Sequence, residues 1–295
     1  MGIHDDVAGS AGADHVGSDN TKASADRAGL LQQAADGLLG VYTSQEPVAP
    51  VRDTVPGLTL TEAYRIQQLQ EEAFTRQGKT VVGRKVGLTS VAMQRQLGVD
   101  SPDFGFFTAD VFYGDQARIP VAELNAPKVE PEFAFRLGRD LSGDVTVEEA
   151  AAAIESVHAA IEIIDSRIRD WDITLVDTVA DNASCAAVAV NETPLEIALD
   201  SLVSAECALV IDGEKVGQGV GSDVMGDPVA PLAWLAKTLG EQGVTLRAGD
   251  WILPGSFCAA QPVVAGSQAT ADFGELGSVT ITFVGPDEGG GNTDG

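Results

Sequence analysis

Three glutamates stand where a folded chain would ordinarily place hydrocarbon. Glu130 and Glu132 lie one residue apart in KVEPEFAF (residues 128–135), and Glu162 sits among alanine and isoleucine in AAIEIID (residues 159–165). A carboxylate withdrawn from water is costly unless it is paired, protonated or bound to a cation. If VEPEFAF is a strand, Glu130 and Glu132 share one face, with Val129, Pro131, Phe133 and Phe135 on the other. Same-face neighbours lie roughly 6.5–7 Å apart along a strand, so two long carboxylate side chains can converge on one cation. Pro131 has no N–H to give to a ladder, which predicts an edge strand or a bulge. Taken alone, the stretch fits a solvated acidic edge as well as a site. Glu162 shifts the reading, because its run contains no basic residue to pair with it, and Arg167 follows only after the run has ended.

Three carboxylates without Cys or His are the donor set of a hard divalent ion, Mg²⁺ or Mn²⁺, rather than zinc. Asp165 competes with Glu162 as third ligand, but in a strand it faces the other way, and Glu162 is preferred. Lys85, in GRKVGLTS, lies in a β-like segment that runs into a turn. A lysine near a bound cation is expected to lose its proton more easily and so to serve as a base, although a surface lysine is the plainer reading. Asp103 in SPDFG is either a turn former after Pro102 or a second acid–base group. DTVADNASC collects Asp177, Thr178, Asp181, Asn182 and Ser184 in a polar segment that could hold substrate oxygens or be a loop. Of the three histidines only His158 lies away from the N-terminal tail, inside a segment read as helix, where it is assigned to packing.

These groups must be positioned by elements that the pattern predicts. Residues 1–25 and 286–295 are Gly-, Ser- and Asp-rich with little to bury and read as disordered tails. Residues 26–80 form a helical preface, whose second helix opens with Thr59 and Glu62 at capping-box spacing. From Val81 to 285 the texture becomes short β-rich runs broken by Gly, Pro and Asp, with a hairpin turn predicted at Asp212-Gly213. Two helices interrupt it: TVEEAAAAIESVHAAI and a second starting at Asp227-Pro228. The result is an α+β chain around a curved, mostly antiparallel sheet. GQGVGS does not complete a dinucleotide fingerprint, because Ser222 stands at its third glycine.

Composition narrows the function classes. With 44 acidic against 18 basic residues the net charge is −26, which repels nucleic acid. A strongly acidic surface with few lysines is the pattern of a protein that works in high salt, where screening relieves self-repulsion. No apolar run is long enough to span a bilayer, and the N-terminus does not read as a secretory signal. Three widely spaced cysteines, Cys185, Cys207 and Cys258, read as reduced thiols of a cytoplasmic protein.

Several long blocks resemble the fumarylacetoacetate hydrolase superfamily, in particular its hydratase and decarboxylase branch. They are GRKVGLTSVAMQRQLGVDSPDFG, KVEPEFAF, EIIDSRIRDWDITLVDTVADNASC, VAPLAWLAKTLGEQGVTLRAGDWILPGS and ADFGELGSVTITF, in that order over residues 58–284. The resemblance implies a mixed β-sandwich roll and a homo-oligomer. It implies Glu130, Glu132 and Glu162 as ligands of Mg²⁺ (or Mn²⁺), Lys85 and Asp103 as the acid–base pair, and Leu88, Thr89 and Ser184 as substrate contacts. The small-molecule substrate it implies is a 2-hydroxy (2-oxo) dienoate, hydrated at its distal double bond. Decarboxylation of a 4-oxalocrotonate-type 2-oxo acid is the alternative activity, and a non-catalytic scaffold subunit the alternative class. A carbon–carbon hydrolase ranks below these, since His158 would have to activate its water. The long acidic N-terminal extension matches nothing in that family.

Overall fold

A computed structural model of the chain describes residues 15–89, 94 and 101–286. The readings made for residues 1–14 and 287–295 lie outside the described residues. Helix α1 (His15–Ser44) begins inside the stretch read as a tail. That stretch lacks an apolar stripe, so the sequence pattern gives no helix signal there. After a short turn of helix, α2 (Val51–Thr54), helix α3 (Leu60–Arg76) starts from the expected cap: Thr59 Oγ1 accepts from Glu62 N (3.3 Å) and Glu62 Oε2 accepts from Thr59 N (3.0 Å). Glu62 also holds Arg27 at 2.7 Å, which ties α1 to α3; these hydrogen bonds, Arg27's first, bring its carboxyl down to about 2. Leu31, Ala35, Leu38, Ala63, Ile66 and Leu69 form the small core of this helical layer, closed by Ile168, Val179 and Ala180.

The rest is two packed sheets. The larger contains β1 (Val81–Gly87), β2 (Asp103–Thr108), β3 (Phe112–Gly114), β5 (Lys128–Leu137), β6 (Ile154–Ile164), β7 (Cys185–Val190), β10 (Trp251–Leu253) and β11 (Gln261–Pro262), in the order β2-β1-β10-β5-β6-β7-β3 with β11 also on β5. The smaller orders β4 (Ala117–Pro120), β13 (Ser278–Val284), β12 (Gln268–Asp272), β8 (Glu206–Ile211) and β9 (Glu214–Val220). Most pairings are antiparallel; β1–β10, β3–β7 and β4–β13 are parallel. The β8–β9 hairpin turns at Asp212 (φ 52°) and Gly213 (φ 82°), the two left-handed residues such a turn requires. Between the sheets, Phe133, Phe135, Ile161 and Ile163 pack against Leu209, Ala269, Ala271, Phe273, Ile281 and Phe283. That face of β5 consists of the odd-numbered residues, so the even-numbered glutamates point to the opposite side.

Two local expectations are overturned. The segment read as one helix around His158 is helical only over α4 (Val147–Ala151) and then becomes strand β6. Its alanines favour helix, but Val157, Ile161 and Ile163 alternate toward the core, and pairing along the length of β5 outweighs propensity. His158 is structural in that strand: Nδ1 lies 2.8 Å from Asn191 O, Nε2 2.8 Å from Ser156 Oγ, and its ring meets Trp251 edge-on at 4.9 Å. Likewise β5 is an interior strand rather than an edge, although its register on β6 does break at Arg136/Leu137. Strand β6 pairs it throughout, whereas on its other side β10 pairs at Phe135–Arg136 and β11 at Lys128–Val129. Pro131 falls in the gap between these two, so its missing N–H breaks no ladder, and its carbonyl accepts from Phe257 N (3.0 Å).

Candidate active site

The register of β5 on β6 sets Glu130 directly opposite Glu162, and Glu132 two residues along the same face. One carboxylate oxygen from each lies within 4.8 Å of the other two. Glu162 is fully buried, and neither of its oxygens accepts a hydrogen bond. Glu132 is 1% exposed, and its Oε2 accepts from Gly255 N at 2.8 Å. Glu130 is the most open of the three, facing the cleft. Asp165, the rival ligand, is engaged elsewhere: it accepts from Asn125 N (2.8 Å), Asn125 Nδ2 (3.1 Å) and Ala126 N (2.7 Å).

Lys85, on β1, reaches across to this cluster, with Nζ 3.2 Å from Glu162 Oε1. Asp103 pairs with Gly87 across the β1–β2 ladder. A methyl built on Gly87 would lie 2.3 Å from Asp103 Oδ1 and 3.2 Å from Lys85 Nζ, so both groups converge over that glycine. Four carboxylates thus crowd around the buried Lys85 ammonium. Burial, then the charge of Glu162, pushes Glu130 up to about 7. Burial and the charges of Glu162 and Glu130 raise Glu132 as well. Asp103 is raised by burial, opposed by Lys85 and reinforced by Glu162. Burial works against the Lys85 charge, but Glu162, Asp103 and Glu130 outweigh it and hold the ammonium above its ordinary range. That is opposite to the depression expected from the sequence, whose sign presupposes a cation among the carboxylates.

More buried carboxylates than the neighbouring ammonium can balance, and their short mutual spacing, fit a hard divalent cation. A linkage prediction follows. Since Glu130 binds its proton more tightly folded than unfolded, its contribution to stability is complete below the ordinary glutamate range and is lost as pH rises through about 7. In metal-free protein the melting temperature of wild type minus that of Glu130→Gln should therefore fall as pH rises from about 4.5 to about 7. A flat difference across that range would remove Glu130 from the strained cluster.

Lys85, Asp103, Glu130 and Glu132 line a cleft of about 890 Å³, which also takes in Leu88, Thr89, Thr178, Ser184, Met225 and Cys258. Leu88 adopts φ 56°, and Thr89, its side chain buried, accepts from Met225 N through its carbonyl (3.1 Å). Gly255 combines φ +130° with a contact that only glycine permits, since a β-carbon there would stand 2.2 Å from Thr89 Oγ1. Gly255→Ala should lower stability by about 1–3 kcal/mol and loosen the Glu132 anchor; a thermal melt checks the first effect and metal affinity the second. Within DTVADNASC the roles separate. Asp177 binds Arg52 and Thr174, Asp181 binds Arg167, and Asn182 binds Phe106, whereas Thr178 and Ser184 face the cleft. Gly255, and the cleft-wall residues Trp171 and Ile173, escaped the sequence reading. The glycine in WILPGS was the available signal for the first, whereas nothing local marks the other two.

Comparison with known proteins identifies the family. The fumarylacetoacetate (FAA) hydrolase C-terminal family profile matches residues 76–284. A protein named 2-keto-4-pentenoate hydratase from Burkholderia vietnamiensis is 44% identical over 241 residues, 81% of this chain and 92% of its own. One of the same name from Paraburkholderia xenovorans is 42% identical over 254 residues, 85% of this chain and 94% of its own. Among solved structures, 4-oxalocrotonate decarboxylase from Pseudomonas putida G7, complexed with magnesium and adipate, superposes with a TM-score of 0.82. It is 30% identical, over 86% of this chain and 97% of that one. The mixed two-sheet fold, the profile match and this level of identity together show that the chain belongs to the fumarylacetoacetate hydrolase family.

Proposed function

We propose that the chain is a divalent-cation-dependent hydratase that adds water to 2-hydroxypenta-2,4-dienoate (2-oxopent-4-enoate) to give 4-hydroxy-2-oxopentanoate, a step of aromatic meta-cleavage catabolism. The observation that carries it is the convergence of Glu130, Glu132 and Glu162 beside Lys85, on the floor of a cleft, in a chain up to 44% identical to hydratases. The three glutamates would hold Mg²⁺, with Mn²⁺ the second choice, which when bound supplies Lewis-acid polarisation of the substrate's C2 oxygen.

This chain's own residues would manage binding and protons. The hydroxyls of Thr89 and Ser184, with the backbone at Leu88, line the cleft where the substrate's carboxylate and 2-oxo group would rest. In ketonisation the C2 hydroxyl loses its proton and C5 gains one; water then adds at C4 and a proton at C3. Lys85, held as ammonium, and Asp103, raised by burial, are adjacent groups able to exchange those protons, a role contributing typically about 10²–10⁴-fold. Burial keeps bulk water from competing for them.

Among the described residues no helix is long and apolar enough to cross a membrane, and all three cysteines are free. We read the enzyme as cytoplasmic and homo-oligomeric, which light scattering would test. The likeness to the decarboxylase structure favours one second reading, loss of CO₂ from 4-oxalocrotonate. The deciding assay follows loss of diene absorbance with 2-hydroxypenta-2,4-dienoate and Mg²⁺, beside CO₂ release from 4-oxalocrotonate. Hydration that stops on chelation and returns with Mg²⁺ is the expected result; CO₂ release alone selects the decarboxylase, and turnover indifferent to chelation removes the cation.

A further inference from the structure

The short link between helix α5 (Leu175–Ala180) and strand β7 is folded in an unusual way. Asn182, Ala183 and Ser184 all have positive φ, at 54°, 49° and 56°. L-residues other than asparagine and aspartate rarely enter that region, and then mostly singly. Nor is this an exposed loop tip, since all three residues are buried.

Two clamps hold it. The Asn182 amide spends both ends on one residue of β2: Nδ2 donates to Phe106 O (2.8 Å) and Oδ1 accepts from Phe106 N (2.9 Å). The buried Arg167 guanidinium grips both ends of the turn, with Nε donating to Asp181 Oδ1, Nη2 to Asp181 O and Nη1 to Cys185 O (3.0 Å). Asp165 N adds a bond to Ser184 O (2.9 Å). What the turn presents is the Ser184 hydroxyl, 3.3 Å from Thr178 Oγ1 and lining the cleft. The strand that Asn182 grips begins at Asp103.

We propose that Asn182 is a positioning residue: by fastening the left-handed turn to β2 it sets the Ser184 hydroxyl at a fixed place relative to Asp103. Arg167 also holds the turn, but its hydrogen bonds go to Asp181 and Cys185, at the turn's own ends, rather than to β2. The amide does both jobs at Phe106 from separate atoms, donating to the carbonyl through Nδ2 and accepting from the N–H through Oδ1.

The activity readout rests on the hydratase reading. The test is a double-mutant cycle of Asn182→Gly and Ser184→Ala, with kcat and KM for 2-hydroxypenta-2,4-dienoate measured in Mg²⁺. Glycine accepts the left-handed φ without strain, so the variant unpins the turn while leaving it possible. The expected result is a roughly tenfold or greater loss of kcat/KM for Asn182→Gly, carried mainly by KM, which shrinks below twofold in the Ser184→Ala background. A loss below twofold in the wild-type background, or two losses that simply multiply, overturns the proposal, because a merely structural asparagine would act equally in both. If Asn182→Gly does not fold, Asn182→Asp enters the same cycle; it keeps the acceptor and drops the donor, and an effect below threefold overturns the proposal. Should wild type fail to hydrate the dienoate, the functional reading falls. The same cycle read as Mg²⁺-dependent oxalate affinity by calorimetry then decides Asn182, with unchanged affinity, or no binding even by wild type, counting against it.

Discussion

Glu132→Gln is expected to abolish turnover, by about three orders of magnitude or more, while leaving the metal-free protein at least as stable as wild type. The kinetic loss corresponds to ~4 kcal/mol of transition-state stabilisation, the scale of a cation's Lewis-acid contribution. The structural half is the less intuitive one. Glu132 is almost fully buried, within 4.8 Å of two other carboxylates, and its proton affinity is raised by burial and by their charges. An amide of the same shape keeps an oxygen for the Gly255 N–H (2.8 Å) and removes one of the like charges. Thermal melts without metal should therefore show an unchanged or higher midpoint. Saturating Mg²⁺, worth ~2.7 kcal/mol to wild type at a hundred times Kd, should stabilise the variant much less. Wild-type activity, or an undiminished Mg²⁺ shift, would take Glu132 out of the ligand set.

Lys85→Met should reproduce the loss of activity with the opposite effect on stability. Lys85 is 3% exposed, 3.2 Å from Glu162, and faces Asp103 and Glu130 as well. Removing the buried ammonium from beside these carboxylates leaves buried charge uncompensated, a penalty on the order of 3–5 kcal/mol. The metal-free melting temperature should drop accordingly and recover in Mg²⁺, since a divalent cation restores the balance. Turnover should stay low by about 10²–10⁴-fold even in saturating Mg²⁺, because proton transfer is lost. A variant as stable as wild type without metal would show that the ammonium is not what neutralises the cluster. The two substitutions together separate the two electrostatic parts: both silence the reaction, and their metal-free melts move in different directions.

The two surplus carboxylates of KVEPEFAF could be seen before any coordinates, because an ionised side chain in an apolar run needs a partner wherever the chain goes. The face they share is likewise local, since period-2 alternation separates Glu130 and Glu132 from Phe133 and Phe135 whatever pairs with the strand. The Thr59–Glu62 cap and the Asp212-Gly213 turn could be read for the same reason: each is closed by residues within a few positions of one another.

What tertiary structure decided was everything that depends on a distant neighbour. Pro131 reads as an edge residue until β10 and β11 are seen to leave a gap beside it. The alanines before Ile161 favour helix until β5 supplies a partner along the whole strand, and it is that register which brings Glu162 opposite Glu130. The protonation of Lys85 could not be settled from its own segment, because its sign is set by charges arriving from β2, β5 and β6. Nothing near Asn182 reveals that its amide closes on Phe106, or that Arg167 grips the turn from the other side. By itself the sequence determined which groups carry charge and which face of a strand they occupy, since both follow from covalent geometry and solvation of nearby residues. Only the fold decided which charges meet, because electrostatic interaction depends on distance and burial, and these are set by pairing between segments far apart along the chain.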